Sequence, residues 1–402
     1  MGGTSQHRTV LVTDGEQRAS LAVVRSLGAA GHIVYVCSAT RRSLAGGSRF
    51  AISEHVVASS LDDADRFVSD VQELVSLHGI DTIIPMTEPA LLALLPERDR
   101  FPGVLVPFVD AETFNGIANK EAVLAAATRV GIAVPAQTVL VDSQTARATD
   151  IAALKYPLVV KPARSVSGIA GDRLKLSVEH AASESELRTI LDAMDPRAYP
   201  LLLQQRVMGP GVGVFVLMWN DELIAQFAHR RIREKPPSGG ISVYRSSIPV
   251  DQDLLRLSLE LLAEFSWQGV AMVEYKLDAD DGTPYLMEIN GRFWGSLQLA
   301  IDAGVDFPRL LIEAASGGAP VHVDHFRTDV RSRWFWGDVD HLLARLRKSK
   351  KRLSLPDDAP SRWQAIGDFL VRHPNDVSEV RRRGDNRPFL RESLQWFRQL
   401  VP

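Results

Sequence analysis

The chain has 402 residues, 45% hydrophobic and 24% charged, with a formal net charge of −3 and a single cysteine, Cys37. At roughly 100–200 residues per domain, that length suggests two to four domains with ample core, and the composition excludes a disordered chain, a collagen, a disulfide scaffold and a polybasic nucleic-acid-binding protein. One cysteine fits a reducing cytoplasm, and neither a signal-peptide pattern nor an apolar run approaching roughly 18 residues is present, so no transmembrane helix is expected.

Thr9–Thr13 is short and β-branched and stops at Asp14-Gly15, as a strand does. Residues 16–30 carry Leu21, Val24 and Leu27 at helical spacing. Ile33–Cys37 reads as a second strand, 62–78 as a helix with Phe67, Val71 and Leu74 on one face, Ile80–Pro85 as a third strand and 88–95 as a helix. Such alternation predicts a parallel sheet covered by helices over 1–117. The first turn, Thr13-Asp14-Gly15-Glu16, lacks the G-x-G-x-x-G dinucleotide fingerprint. Asp14 and Glu88 lie at strand carboxyl ends, where ligands of open α/β sheets bind; both are candidates for an ammonium group, with helix capping as the alternative.

A second segment, 118–325, starts with Asn119 as an N-cap for a helix over Lys120–Val130. Strands follow at 137–141, Leu158–Lys161, Leu201–Gln205, Val212–Trp219, Leu223–His229, Val270–Leu277 and Tyr285–Ile289, with helices at 183–195 and 251–265. The texture is α+β and largely antiparallel, with hairpin turns at Asn220-Asp221 and Asp280-Asp281-Gly282. The third segment, 326–402, reads as helical at 338–347, 361–372 and 389–399, with a break at Pro356-Asp-Asp-Ala-Pro360. From Arg327 onward there are 17 Lys+Arg against 10 Asp+Glu; the rest of the chain has 29 against 39. A charge step of this kind marks a change of module, and a basic tail of this sort either is solvated or contacts an anionic partner.

Five groups of residues could carry chemistry. Glu288 and Asn290 point to one face of a strand because the side-chain period is two, and the Asp-Asp-Gly turn brings Glu274 alongside. Two carboxylates and an amide oxygen suit Mg²⁺, and Arg292 on the same face could fork onto a carboxylate or phosphate. The alternative is a solvent-facing hairpin. Lys161 ends an apolar strand ahead of Pro162 and can reach a phosphate as a point charge, or simply snorkel. Ala163–Gly171, with Ser167 and Gly168, is a small-residue loop able to approach an anion and close as a lid, or an ordinary turn. His229, Arg231 and Arg233 share a face of an extended segment, ahead of Pro-Pro-Ser-Gly-Gly. Together they call for an anion, or they guard an edge strand. Lys120 follows a helix N-cap, where the dipole favours anions.

Taken in order, these residues resemble the ATP-grasp superfamily, and more closely its predicted carboxylate–amine ligases with a carbamoyl-phosphate-synthase-like ATP-grasp domain. The resemblance rests on Asn119-Lys120, Val160-Lys161-Pro162, the small-residue loop, Leu203–Gly209, Val273-Glu274-Tyr275 and Glu288-Ile-Asn-Gly-Arg292, and it covers about 1–325. It implies an N-terminal parallel α/β pre-ATP-grasp domain, an ATP-grasp fold with a small lid subdomain at about 136–207, and a mainly helical, basic C-terminal extension. By the same resemblance, Lys120 and Lys161, with Ser167 and Gly168 of the loop, bind ATP phosphates. The hinge residues Gln204, Gln205, Arg206 and Val207 meet the adenine, with main-chain groups of Arg206 and Val207 reading its edge. Glu274, Glu288 and Asn290 hold one or two Mg²⁺, with Mn²⁺ as the alternative ion, and Arg292 orients the acceptor. The implied reaction activates a carboxylate as an acylphosphate for attack by an amine, in the cytoplasm. Arg231 and Arg233 are candidates for holding acyl oxygens, and His229 for taking the amine proton. The rivals are a kinase on the same fold and a non-catalytic nucleotide-binding protein. Small-molecule acids and amines are the expected partners, without nucleic acid, and a homodimer is an open assembly. Two departures stand out. Gln205 occupies a position that is often Glu, and Gly211-Val-Gly-Val-Phe215 offers no acid for a ribose.

Overall fold

A computed structural model describes residues 7–168, 173–318, 321–353, 355–356 and 359–400. Ile169–Gly171 of the small-residue loop and Asp357-Asp358 of the proline-flanked break lie outside them.

The N-terminal segment is an open α/β layer. Strands β1 (Thr9–Val12), β2 (Ile33–Ser38), β3 (Ala51–Val56) and β4 (Thr82–Ile84) form a parallel sheet in the order β3-β2-β1-β4. β1 and β4 are almost wholly apolar and buried, as strands covered on both faces must be. Helix α1 (Arg18–Ala29) covers one face. Helices α2 (Ala64–His78) and α3 (Glu88–Leu94) cover the other around Phe67, Val71 and Leu94. α3 starts at Thr87, whose hydroxyl accepts from the Ala90 amide, so Glu88 is held in its first turn at the carboxyl end of β4.

Helices α4 (Ala111–Ala118) and α5 (Lys120–Arg129) lead into two antiparallel sheets. The smaller contains β5 (Gln137–Leu140), β6 (Leu158–Pro162), β9 (Glu179–Ala181) and β10 (Leu201–Gln205), in the order β5-β10-β6-β9. Helices α6 (Ser143–Ala148) and α7 (Glu184–Asp192) complete it, with its own core around Leu140, Val160, Leu187 and Leu201. From it projects a two-stranded arm, β7 (Val166–Ser167) with β8 (Leu174–Lys175). The larger sheet has seven strands. Five are β11 (Gly211–Trp219), β12 (Glu222–Lys235), β13 (Ile241–Ser247), β14 (Gly269–Leu277) and β15 (Pro284–Asn290). Helices α8 (Gln252–Ala263), α9 (Leu297–Ala303) and α10 (Phe307–Ala315) pack on it in a core that is continuous with α1.

The last two strands of the seven, β16 (Arg331–Arg333) and β17 (Asp376–Ser378), come from the basic tail. The order is β15-β14-β11-β12-β13-β16-β17. The charge step near 326 is therefore not a break in the structure: β13 pairs with β16 across it. Helices α11 (Phe335–Arg347), α12 (Arg362–Leu370) and α13 (Arg387–Leu400) complete the tail. Trp336 stacks on Trp396 at 4.2 Å, joining α11 to α13, and Arg391 of α13 reaches Glu54 of β3 at 2.9 Å. Within Arg345–Arg352, Arg345 is buried and donates to the Pro360 carbonyl, while Arg347, Lys348, Lys351 and Arg352 face solvent. Among the described residues, no helix is long and apolar enough to cross a membrane.

Buried ion pairs weld the tail to the body. The Glu379 carboxylate, 2% exposed, accepts from Arg18 of α1 at 2.7 Å and from Arg245 of β13. Asp385 pairs with Arg25 at 2.7 Å. Asp338, fully buried, takes Arg233 at 2.6 Å and Arg333 at 2.5 Å.

Candidate active site

The β14–β15 hairpin places Glu274 opposite Glu288 in register, with Asn290 two residues on. The Asn290 amide donates to Glu288 Oε1 at 2.9 Å, and Arg292 donates to Asn290 Oδ1 at 3.0 Å. Burial raises the Glu274 carboxyl above its ordinary range; Arg231 opposes this, while the facing Glu288 adds to it. Burial acts on Glu288 as well, but Lys120, the Asn290 amide, Lys161 and Arg292 together outweigh it and hold this carboxyl below the ordinary range. The two acids are thus pushed apart by their surroundings.

The cations arrive from other elements. Asn119 caps α5 by accepting from the Glu121 and Ala122 amides, which fixes Lys120 at the first helical position. Lys120 Nζ lies 2.9 Å from Ser165 Oγ, just past β6. Lys161 of β6 is desolvated, which lowers its ammonium pKa, and Glu288 and Glu274 draw it back toward the charged form. Glu88 enters from the N-terminal sheet. Burial raises its carboxyl, while Arg292 and Lys120 act in the opposite sense. Three segments that are distant in sequence therefore meet at one cluster of alternating charge.

Arg231 reaches this cluster by an indirect route. It stands on β12, while Glu274 stands on β14, with β11 between them. Its side chain crosses Gly211 of β11 to pair with Glu274, and it also pairs with Glu234 on its own strand. A Cβ on Gly211 would lie 2.7 Å from Arg231 Cδ, so only glycine leaves the passage open. This accounts for the glycine at 211 in the stretch that lacks an acid.

The other candidates are placed differently. His229 is 1% exposed, and its ring packs edge-on to Phe215 at 4.7 Å. Burial, with Arg231 and Arg245 nearby, pushes its pKa well down. Its ring nitrogens have no hydrogen-bond partner among the described residues. It stands across Gly213 in register with Glu274 and near Arg231, so it borders the cluster, and burial rather than distance opposes a proton-accepting role. Arg233 has its guanidinium committed to a buried carboxylate, which opposes a role in the acyl-oxygen clamp. A register shift between Arg231 and Arg233 breaks the shared face, and Arg233 forks onto Asp338 while covering the Tyr244 ring at 4.4 Å.

In the smaller sheet, Gln204 is 2% exposed and donates to Gln137 at 2.9 Å. The Gln205 amide donates to the Ala136 carbonyl at 2.8 Å, and Gln205 is exposed. The Arg206 amide is engaged with the Pro157 carbonyl at 3.2 Å, and its guanidinium with Ser238 at 2.6 Å. Val207 is buried. Ser167 Oγ donates to the Arg197 carbonyl at 2.6 Å, and Gly168 beside it adopts φ +97°. Gln204 and Gln205 thus end β10, Arg206 and Val207 lead from it toward β11, and Ser167 belongs to the two-stranded arm.

Sequence reasoning missed several neighbours. Lys276, two residues beyond Glu274, carries an electrostatic contact to Glu274 and Lys161; the period of two was the available signal. His180 of β9 faces Arg206, Lys161 and Lys276, and burial first, then these cations, lower its pKa to about 4. No local pattern marks it. Arg231 lines a cavity of about 600 Å³ together with Arg230, Arg233, Glu234, Arg331 and His341, the last two from the basic tail.

Among the described residues, no group of three or more His, Cys, Asp or Glu side chains forms a self-sufficient metal cage. Two carboxylates and one amide oxygen instead fit an ion that keeps water and substrate oxygens in its shell, as Mg²⁺ does.

An antiparallel two-sheet body behind a parallel α/β layer, with paired acids facing Lys120 of α5 and Lys161 of the smaller sheet, has the ATP-grasp fold. Residues 197–337 match the family described as ATP-grasp in the biosynthetic pathway with Ter operon. The structure is similar to L-amino acid ligase from Bacillus licheniformis (TM-score 0.60, 18% identity, 79% of this chain and 76% of that one). It is similar also to N5-carboxyaminoimidazole synthetase from Staphylococcus aureus complexed with ADP (0.59, 15%, 81% and 80%). A third is the biotin carboxylase domain of 2-oxoglutarate carboxylase from Hydrogenobacter thermophilus, in complex with MgADP and bicarbonate (0.61, 15%, 81% and 74%). No curated protein matches the chain by sequence.

Proposed function

We propose that the protein is an ATP-dependent ligase that activates a carboxylate as an acylphosphate and transfers the acyl group to an amine. The observation that carries this reading is the convergence of Glu274, Glu288 and Asn290 with Lys120, Lys161 and Arg292. The ligase and the ADP and MgADP complexes among similar structures support it.

In this reading Lys120 and Lys161 bind the ATP phosphates, and the connection at 204–207 meets the adenine. Glu274, Glu288 and Asn290 would hold Mg²⁺, which when bound neutralises charge on the phosphoryl oxygens. A substrate carboxylate oxygen attacks the γ-phosphorus, the bond to the β-phosphate oxygen breaks, and ADP leaves. The amine nitrogen then attacks the acyl carbon and phosphate departs. Arg292 and Arg231, both beside the paired acids, steady the acyl and phosphoryl oxygens. Glu88, whose carboxyl is raised by burial, receives the ammonium and takes its proton. The cavity next to Arg231 supplies the acceptor pocket, and Arg230 and Arg331 select an acid there.

An ADP-release screen over a matrix of carboxylic acids and amines tests the proposal. ADP and free phosphate formed in step, only when both substrates are present, support ligation. ADP with a stable phosphorylated product and no phosphate indicates a kinase. Nucleotide binding without ADP under every mixture indicates a non-catalytic binder.

A further inference from the structure

A second cavity, of about 500 Å³, lies away from the paired acids, where α1, α9 and α10 meet the turn after β17. That volume is within the range of small-ligand pockets. Five guanidiniums line it: Arg25, Arg49, Arg309, Arg382 and Arg383, against the carboxylates of Asp306 and Asp385. Both acids are already engaged. Asp385 holds Arg25, Ser48 and the Arg49 amide, and Asp306 holds Ser26 and the α10 N-terminus. Arg382 is paired with Asp302; among the described residues Arg309 has only Glu313, at 3.8 Å, and Arg49 and Arg383 have no ion-pair partner. Two polar atoms in the wall also lack hydrogen bonds: Arg382 Nε, and Oε1 of Gln298, which is 7% exposed. Native walls seldom leave such atoms unmatched, and converging like charges call for a counter-ion.

We propose that this junction binds a compact polyanion, phosphorylated or polycarboxylate, bearing a hydroxyl for Gln298. Phe50 and Ile301 supply the apolar side of the pocket. Arg25 and Arg49 come from the N-terminal layer, Gln298 and Arg309 from the ATP-grasp body, and Arg382 and Arg383 from the basic tail. A ligand there ties the three segments together, whatever reaction the paired acids perform.

Inorganic pyrophosphate and citrate, titrated separately by calorimetry, separate the phosphate and carboxylate forms of the proposal. Arg49→Ala/Arg383→Ala removes two exposed guanidiniums without ion-pair partners, so folding is retained; Lys161→Ala serves as the control at the nucleotide site. Wild type and Lys161→Ala are expected to bind one of the probes with a Kd below about 1 mM, and the double variant at least about tenfold more weakly. The bound probe raises the unfolding temperature of wild type and not of the double variant. Equal binding by the double variant, binding lost only in Lys161→Ala, or no binding of either probe to wild type would overturn the proposal.

Discussion

Replacing Glu379 by alanine tests whether the basic tail is part of the body. Its carboxylate is 2% exposed and serves two guanidiniums, Arg18 at 11% exposure and Arg245 at 0%. Removing it leaves Arg245 buried with no carboxylate, held by the Ser242 carbonyl at 2.9 Å through Nη1 and with Nε unmatched. Arg18 keeps its position over the Trp334 ring at 3.8 Å. Arg25 keeps its bond to the Glu379 main-chain carbonyl, which the substitution does not touch. Breaking a buried pair in this way costs about 3–5 kcal/mol, because a desolvated charge is left uncompensated. Glu379→Gln keeps the shape and one acceptor, so its cost should fall near half of that. Urea unfolding followed by tryptophan fluorescence reads both losses. Values within about 0.5 kcal/mol of wild type for both variants, the size of an ordinary surface substitution, would refute the reasoning and return the tail to a solvated appendage.

Other outcomes follow from the same contacts. Burial raises the Glu392 carboxyl to about 7, although it accepts from the Trp334 indole at 2.7 Å. The folded state therefore holds this proton more tightly than the unfolded state, and stability falls as pH rises from the ordinary carboxylate value of 4.5 through about 7. Glu392→Gln should flatten that slope and add about 3 kcal/mol at pH 8, read by unfolding at several pH values. Gly211→Val should push Arg231 off Glu274, lowering acceptor-dependent ADP formation by about a hundredfold and leaving Mg-nucleotide affinity within about threefold. An unchanged turnover would mean that the passage across β11 has no role in positioning Arg231.

Much of the site was legible because it follows local rules. The Asn119 cap fixed Lys120, and period two along 284–290 set Glu288 and Asn290 on one face. Leu201–Gln205 formed as its apolar run predicts. The missed elements lack such signals. β13 follows Pro-Pro-Ser-Gly-Gly and hides an arginine, Arg245, whose partner lies in the tail. β16 and β17 have three residues each, too few for any periodicity. His229 and Arg233 looked like site residues because they are polar and closely spaced. Phe215, which buries one, and Asp338, which neutralises the other, are distant partners that spacing alone does not reveal. Arg231 reached the paired acids through a glycine on the neighbouring strand, which is a tertiary fact.

The central claim is that a carboxyl group is activated by phosphorylation at Glu274, Glu288 and Asn290. Hydroxylamine, supplied in place of the amine, measures it directly, because it captures an acylphosphate as a hydroxamate. With ATP, Mg²⁺ and the acid found by the ADP screen, wild type should form hydroxamate in step with ADP, and Glu288→Ala should form neither. ADP release with a stable phosphorylated acceptor and no hydroxamate, or equal hydroxamate from Glu288→Ala, would contradict the account.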